Sequence, residues 1–276
     1  MMSKRAGLIF TALAFGYAFL YIPIISVVVY SFNESRLVTV WAGFSTKWYG
    51  ELFEDERMIT AALLSLRIAA MSATGAVIIG TLAGFVMSRV PKFWGRTLFT
   101  GMVSAPLVMP EIITGLSMLL LFVGLEQLIG WPERGVDTIT IAHITFTTAF
   151  VAVMVQARLS ELDRSIEEAA MDLGARPWKV FALITLPMIA TTLASGWLLA
   201  FTLSLDDLVI TSFVSGPGST TLPQIVFSSI RLGVSPKINV LATIIVSIVT
   251  TGILIAGVLM YRAERERLRD AQKAAG

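Results

Sequence analysis

Apolar runs long enough to cross a lipid bilayer recur along the whole chain. About 20 residues suffice for a helical crossing, and six stretches reach that length: 7–30, 59–87, 97–125, 138–157, 188–214 and 238–261. In hydrocarbon each backbone N–H and C=O must be satisfied within its own segment, so runs of this length predict helices. A transmembrane β-barrel would need segments of about ten residues with strict alternation. These runs are continuously apolar. The expected fold class is an all-α integral membrane protein with six transmembrane helices. Composition excludes the soluble alternatives. Only 14% of the 276 residues are charged and 55% are hydrophobic, whereas a soluble domain carries about 25% charged residues. A chain this size cannot enclose that much apolar surface, so a cytosolic enzyme, a secreted domain and a disordered tail are ruled out.

Lys and Arg in the connecting segments set the orientation. One side holds Lys4, Arg5, Arg89, Lys92, Arg96, Arg158, Arg164, Arg176, Lys179, Arg262, Arg265, Arg267, Arg269 and Lys273, which makes 14. The other holds Arg36, Lys47, Arg57, Arg134, Arg231 and Lys237, which makes 6. The richer side is expected to be cytoplasmic, with both termini there. Lys4-Arg5 before an apolar stretch, with Ala12-Leu13-Ala14 beyond, has the outline of a signal peptide. The run continues unbroken to Tyr30, so an uncleaved first span is expected. On the outer side, Trp41, Trp48 and Tyr49 are expected to anchor at the membrane interface. The basic residues are parcelled between apolar segments, and the net charge is only +2. Nucleic acid is therefore not an expected partner.

The sequence has no cysteine, which excludes disulfides and thiolate chemistry. It also lacks G-x-x-x-x-G-K-[ST], H-E-x-x-H and G-x-S-x-G. Nucleotide phosphates and hydrolytic chemistry thus have no recognisable seat here. The chain is not expected to be an enzyme.

The least hydrophobic stretch is 158–187 on the cytoplasmic side. Ser165 with Glu168 three residues on is a capping box, which predicts a helix start. Ile166, Ala170 and Leu173 then fall on one helical face. Gly174 sits where a left-handed cap would close that helix, and Pro177 suits the first turn of a second. The acidic start, Asp163, Glu167 and Glu168, suits the helix dipole but not adhesion to anionic lipid. It predicts a protein partner.

The spacing Glu168-Ala169-Ala170, three residues, Gly174, nine residues, Ile184, one residue, Leu186-Pro187 resembles the EAA motif of permease subunits of bacterial binding-protein-dependent ABC importers. The likeness extends along the chain. Tyr30-Ser31-Phe32-Asn33, the segment Ala105-Pro106-Leu107-Val108-Met109-Pro110-Glu111, Leu203-Ser204-Leu205-Asp206-Asp207 and the stretch from Phe213 to Pro223 look like the polyamine-uptake branch, putrescine importers among them. The resemblance implies the type I ABC importer permease fold. Residues 1–58 would form the first transmembrane helix and a periplasmic loop. Residues 59–262 would form the permease core, with its coupling loop at 158–187, and 263–276 a cytoplasmic tail. It implies an ATPase-coupling role for Ser165, Glu168, Ala169, Ala170 and Gly174. It also implies a second related permease subunit, two ATPase subunits that bind the ATP and Mg, and a periplasmic substrate-binding protein. The chain itself would hold no cofactor or metal. The loop 216–223 would reach towards the binding protein's ligand cleft, and transport would proceed by alternating access.

Four ionisable side chains fall inside the predicted spans: Arg67, Glu111, Asp206 and Asp207. Each costs about 2.5–3.5 kcal/mol at mid-membrane, so such residues face a bundle interior or a wet path. Pro106 and Pro110 lack backbone donors and should kink or unwind the third span just before Glu111. Three acids against one base suit a cation. A polyamine needs spaced carboxylates to offset desolvation of its ammonium groups, so Glu111 and one of Asp206 or Asp207 are expected to line its route. In the bland alternative Arg67 pairs with one acid and another acid caps a helix end. Asp206 and Asp207 point about 100° apart on a helix and cannot share a proton as a catalytic dyad. His143, the one histidine, has no ligand set and is expected to be hydrogen-bonded within the structure. Two rival functions stand beside this one: an importer for another small solute, and an ion-coupled secondary transporter. The second would leave the EAA segment without a purpose.

Overall fold

The computed structural model describes residues 2–37, 40–90, 92–232, 235–251 and 254, without side chains for 2–6 and 232. The described residues are overwhelmingly helical. In chain order the helices are α1 (Met2–Tyr30), α2 (Lys47–Phe53), α3 (Glu56–Arg89), α4 (Arg96–Val108), α5 (Glu111–Ile129), α6 (Val136–Glu161) and α7 (Ser165–Asp172). They continue with α8 (Pro177–Val180), α9 (Leu186–Met188), α10 (Ala190–Leu205), α11 (Val209–Val214), α12 (Leu222–Leu232) and α13 (Pro236–Thr251). The chain divides into two compact units, Met1–Ile59 with Ser228–Gly276, and Thr60–Phe227.

Among the described residues, four helices are long and apolar enough to cross a membrane: the 7–30 part of α1, α3, α5 and α6. They correspond to the first, second, third and fourth predicted spans. The third differs from expectation. It is not one helix over 97–125 but two, α4 and α5, separated at Met109 and Pro110. Met109 is extended (φ −80°, ψ 137°), the conformation a following proline favours. Pro106 does not break its helix and sits inside α4.

The predicted fifth span over 188–214 is also interrupted. It ends as a helix at Leu205 and resumes at Val209. On its other side it joins an approach helix, Pro177–Met188, at a bend of 72°. Two features explain that bend. Phe181–Thr185 forms a π-helical turn, and Pro187 lacks the N–H that would reach back to Leu183. The sixth predicted span is described only through α13 and residue 254; the rest of 238–261 and the tail at 263–276 lie outside the described residues.

Within Thr60–Phe227, α6 is the central element. One end packs Ile139, Ala142 and Phe146 with Ile68, Phe122, Ile210 and Val214. The other packs Val151, Val155 and Leu159 with Ala73, Ala76, Ile189 and Ala200. Small residues on α3 let it lie close against α6, where Ser72 also donates to the Thr140 carbonyl.

In the other unit, the segment after α1 folds on itself. Asn33 is buried; its amide donates to the Val40 carbonyl (2.8 Å) and its Oδ1 accepts from the Ala42 N–H (3.0 Å). Trp48 Nε1 donates to the Asn33 carbonyl at 2.7 Å, and Phe32 stacks between Phe44 and Tyr49. This corrects one expectation. Trp48 is buried in the loop's own core rather than placed as an interfacial anchor, while Trp41 is exposed. A buried indole N–H needs an acceptor, and Asn33 supplies it.

Asp55 and Lys237 join at 3.0 Å in the same unit. Burial pushes the Asp55 carboxyl up, but hydrogen bonds from Lys237 and the Met58 N–H, with the charges of Lys237 and Arg57, hold it below its ordinary 3.8. A depressed carboxyl stabilises the fold fully above its unfolded value and loses that contribution as pH falls through the folded value. Hydrogen-exchange protection around Asp55 should therefore hold from neutral pH down to about 4 and decline below it. Asp55→Asn should show weaker protection at neutral pH and no such acid-range decline.

Candidate functional site

Three places carry the residues singled out in the sequence. The first is α7 and its closing turn. Helix α7 covers Ser165–Asp172, as the spacing predicted. Its start differs: Ser165 does not cap it. Asp163 Oδ1 accepts the Ser165 N–H at 2.9 Å, so the cap lies two residues earlier. Hydrogen bonds from the Ser165 backbone and hydroxyl hold the Asp163 carboxyl below its ordinary value. The end matches the expected glycine cap. Gly174 has φ +85°, its N–H donates to the Met171 carbonyl (2.9 Å), and the Ala175 N–H reaches the Ala170 carbonyl (3.0 Å). These two bonds are the paired closure of a Schellman turn, which needs a left-handed residue at that position.

One side of α7 is fastened to the bundle. Glu167 is buried, and its carboxylate meets the Arg89 guanidinium at 2.8 Å (Nε to Oε2). Arg89, the last residue of α3, also donates to the Leu159 carbonyl at the end of α6 (2.8 Å). The Thr185 hydroxyl, in the π-helical turn, donates to Glu167 at 3.0 Å. Arg164 adds a bond to the Ser88 carbonyl (2.6 Å). One carboxylate thus ties α7 to α3 and to the approach of the fifth span. Its neighbour Glu168 is exposed, as are Ser165, Ala169 and Gly174, with Ala170 half-buried. Leu173 is 90% exposed, and with Ala170, Gly174, Arg176, Trp178 and Lys179 it lines an open hollow between α7 and α8. The apolar face predicted for this helix is therefore turned outward, where a partner can reach it.

The second place is Glu111. It opens α5 directly after Pro110 and is exposed. Its charge suits the N-terminal end of the helix dipole. The third is the break after α10. Asp206 is exposed, whereas the Asp207 side chain is only 6% exposed. Asp207 accepts from the N–H groups of Ile210 (3.2 Å) and Thr211 (2.7 Å), from the Thr211 hydroxyl (2.7 Å), and faces His143 Nε2 at 3.1 Å. His143 lies in α6, buried, with Nδ1 2.6 Å from the Ser204 hydroxyl. The histidine is thus hydrogen-bonded as expected. The structure brings Asp207, His143, Ser204 and Thr211 together; Glu111 is not part of that cluster. Arg67 is exposed and has no ion-pair partner among the described residues, against the first half of the bland alternative, whereas Asp207 caps α11 as its second half had an acid do. Among the described residues no cluster of His, Asp and Glu could hold a metal ion.

The loop 216–223 is held down rather than free. Gly216 lies so close to the Arg134 carbonyl that a Cβ could not fit, Ser219 bonds back to Gly216, and the Leu222 N–H donates to Ser65 (2.8 Å). Pro217, Gly218 and Thr220 are its exposed residues.

Residues 76–269 match the family described as binding-protein-dependent transport system inner membrane component. The chain belongs to that family. Its match contains α7, the closing glycine and the fifth span. Among curated members, the putrescine transport system permease protein PotI of Escherichia coli (strain K12) is 62% identical over 263 residues, 95% of this chain and 94% of that one. The spermidine/putrescine transport system permease protein PotC of the same strain is 41% identical over 257 residues, 93% and 92% of the two chains. The fold recurs in a bacterial ABC transporter that imports alginate, with a TM-score of 0.70 at 18% identity, covering 94% of this chain and 97% of that one. The MetNI methionine ABC transporter gives a TM-score of 0.59 at 18% identity over 75% of this chain and 95% of its own. As a member of the binding-protein-dependent family, the protein is a membrane-spanning permease component and not an enzyme.

Proposed function

We propose that this chain pairs with a second, related permease subunit to form the membrane pathway of an ATP-driven importer for putrescine or a close polyamine. A periplasmic binding protein delivers the cargo. Two ATPase subunits, which bind the ATP and Mg, dock on the outward face of α7 around Glu168, Ala169, Ala170 and Leu173. Closure of those subunits drives α7 and its counterpart together, and the spans rotate between outward-open and inward-open arrangements. A nucleotide-driven partner supplies the differential binding that such a two-state switch requires. Both termini and α7 lie on the cytoplasmic side of the inner membrane, in keeping with the excess of Lys and Arg there. The observation that carries the cargo assignment is the 62% identity to a putrescine permease along 95% of this chain. Within the route, Glu111 and Asp206 are the carboxylates available to ammonium groups, since both are exposed while Asp207 is engaged internally.

The test uses the assembled transporter in proteoliposomes with its binding protein. Labelled putrescine should accumulate only with ATP inside, and spermidine should compete where sulfate does not. Glu111→Gln and Asp206→Asn should each slow uptake by about tenfold, the value of roughly 1.4 kcal/mol lost at a charged contact, with the complex still assembled. Unchanged uptake in both variants would remove these acids from the route. Accumulation without ATP would favour a secondary carrier.

A further inference from the structure

We propose that His143 and Asp207 are a positioning pair, which sets the break in the fifth span and thereby turns the Asp206 carboxylate towards the cargo. The inference rests on the route assignment of Asp206 above.

Asp207 is turned inward, its side chain only 6% exposed and its Oδ2 taking three of its four bonds. Its two oxygens take the N–H groups of Ile210 and Thr211, the Thr211 hydroxyl and the His143 ring. The bonds to the Ile210 and Thr211 N–H groups cap α11, supplying acceptors that the first turn of a helix lacks. A carboxylate only accepts, so His143 Nε2–H donates to it, while Nδ1 pairs with the Ser204 hydroxyl at 2.6 Å. The histidine therefore reaches both sides of the break, Ser204 in α10 and Asp207 with Thr211 beyond it, from a single position on α6. Away from water, a polar group left unpaired is costly, so a fully bonded cluster of this kind holds one geometry.

Helix α6 grips α11 at its far end as well. The Thr138 hydroxyl donates to the Val214 carbonyl at 2.7 Å. With α11 held at both ends, the break between Leu205 and Val209 has fixed limits. Asp206 N–H closes the last turn of α10 on the Thr202 carbonyl (3.2 Å), which leaves its side chain on the open face. The placement extends to the other route acid. The Phe213 ring and the Ile210 Cα of α11 lie against Gly115 of α5, where a Cβ would stand 2.7 Å from the ring. Gly115 is one helical turn beyond Glu111, on the same face. The orientation of α11 is thus transmitted to the start of α5.

The experiment measures putrescine transported per ATP hydrolysed, in the reconstituted complex with loaded binding protein. The variants are Asp206→Asn, His143→Ala, Asp207→Asn and His143→Ala in the Asp206→Asn background. A positioning pair acts through Asp206. His143→Ala and Asp207→Asn should therefore lower the ratio about fivefold in the native background, and His143→Ala by less than about twofold once Asp206 is gone, the signature of coupled sites. A purely structural role would lower ATP hydrolysis and transport together, leave the ratio unchanged and overturn the proposal. Equal effects of His143→Ala in both backgrounds would overturn it too. So would a change in diamine-over-monoamine preference with Asp207→Asn that His143→Ala does not reproduce, since Asp207 would then touch the cargo. If Asp206→Asn leaves the ratio unchanged, the route assignment fails first and the positioning proposal falls with it. Should His143→Ala not assemble, Ser204→Ala and Thr211→Val each remove one hydroxyl and carry the same expectations.

Discussion

Replacing Glu167 with alanine should abolish the stimulation of ATP hydrolysis by loaded binding protein, while Glu168→Ala one residue away leaves the bundle as stable as before. The two side chains differ in what they touch. Among the described residues Glu168 is exposed and ties nothing within the bundle, so its loss touches only the proposed ATPase contact. Glu167 neutralises Arg89 across a junction where the two side chains are 11% and 7% exposed, and it accepts the Thr185 hydroxyl. Removing one member of a buried pair leaves the other charge unpaired and costs about 3–5 kcal/mol. Helix α7 has only eight residues, too few to stand alone in water, so its place on the bundle depends on such ties. Without Glu167 the push that the proposed mechanism delivers to α7 would have no firm path into α3 or the approach of the fifth span. Arg89→Ala should behave alike. The double variant Arg89→Met with Glu167→Met should recover the melting temperature, as apolar replacements of buried pairs commonly do. It should not recover stimulation, because methionines cannot bond Leu159 and Thr185. Melting curves and ATPase assays on the purified complex separate the two effects. Native stimulation in Glu167→Ala would contradict this account.

The contrast between Glu167 and Glu168 also marks where sequence reading stops. The spans were legible because twenty apolar residues in a row leave the backbone few options. Their ends were less so. The run expected over 138–157 is a helix over Val136–Glu161, since a helix continues past the apolar stretch until a cap or a proline stops it. The break before Glu111 could be read from Pro110. The break after Leu205 could not, because the carboxylate that caps the helix beyond it meets a histidine 64 positions away in the chain. The same limit hid the partner of Glu167, which lies 78 positions away. Adjacent helical residues point about 100° apart, and a motif does not say which of them faces in. At the start of α7 two acceptors compete, Asp163 and Ser165. The spacing Ser165 to Glu168 favoured the wrong one, because that reading had no view of the turn in which Asp163 already accepts the Ser165 N–H. Trp48 was misplaced for a related reason. An aromatic near a span usually sits at the interface, but here the Asn33 carbonyl draws it inward.

Gly84→Val should prevent the second span from seating against α6 and should cost more than any other glycine change in α3. A Cβ at Gly84 would lie 2.6 Å from the Ala152 carbonyl oxygen and 2.9 Å from Val155. The first obstacle is backbone and cannot rotate away. At Gly75 the nearest atom is the tip of the Ile144 side chain, at 2.7 Å, which can change rotamer. Alanine in a helix is favoured over glycine by about 1 kcal/mol, whereas overpacking a close-packed contact costs about 1–3 kcal/mol. Gly75→Ala should therefore come out near neutral, and Gly84→Ala destabilised by one to two of those kilocalories. Gly84→Val, with two more methyl groups against the same carbonyl, should go well beyond that. Gly101→Ala in α4, where nothing lies within 4 Å, should be slightly stabilising. Thermal unfolding of the detergent-purified complex gives the order. The functional consequence follows from position. Arg89 stands five residues beyond Gly84 on the same helix. A helix forced off α6 at Gly84 draws the guanidinium away from both Glu167 and the Leu159 carbonyl. Gly84→Ala should thus lose stimulation of ATP hydrolysis out of proportion to its modest loss of stability, whereas Gly75→Ala, two and a half turns further from Arg89, should keep it. If both alanine variants retain native stimulation, the path from α7 into the membrane does not run through α3.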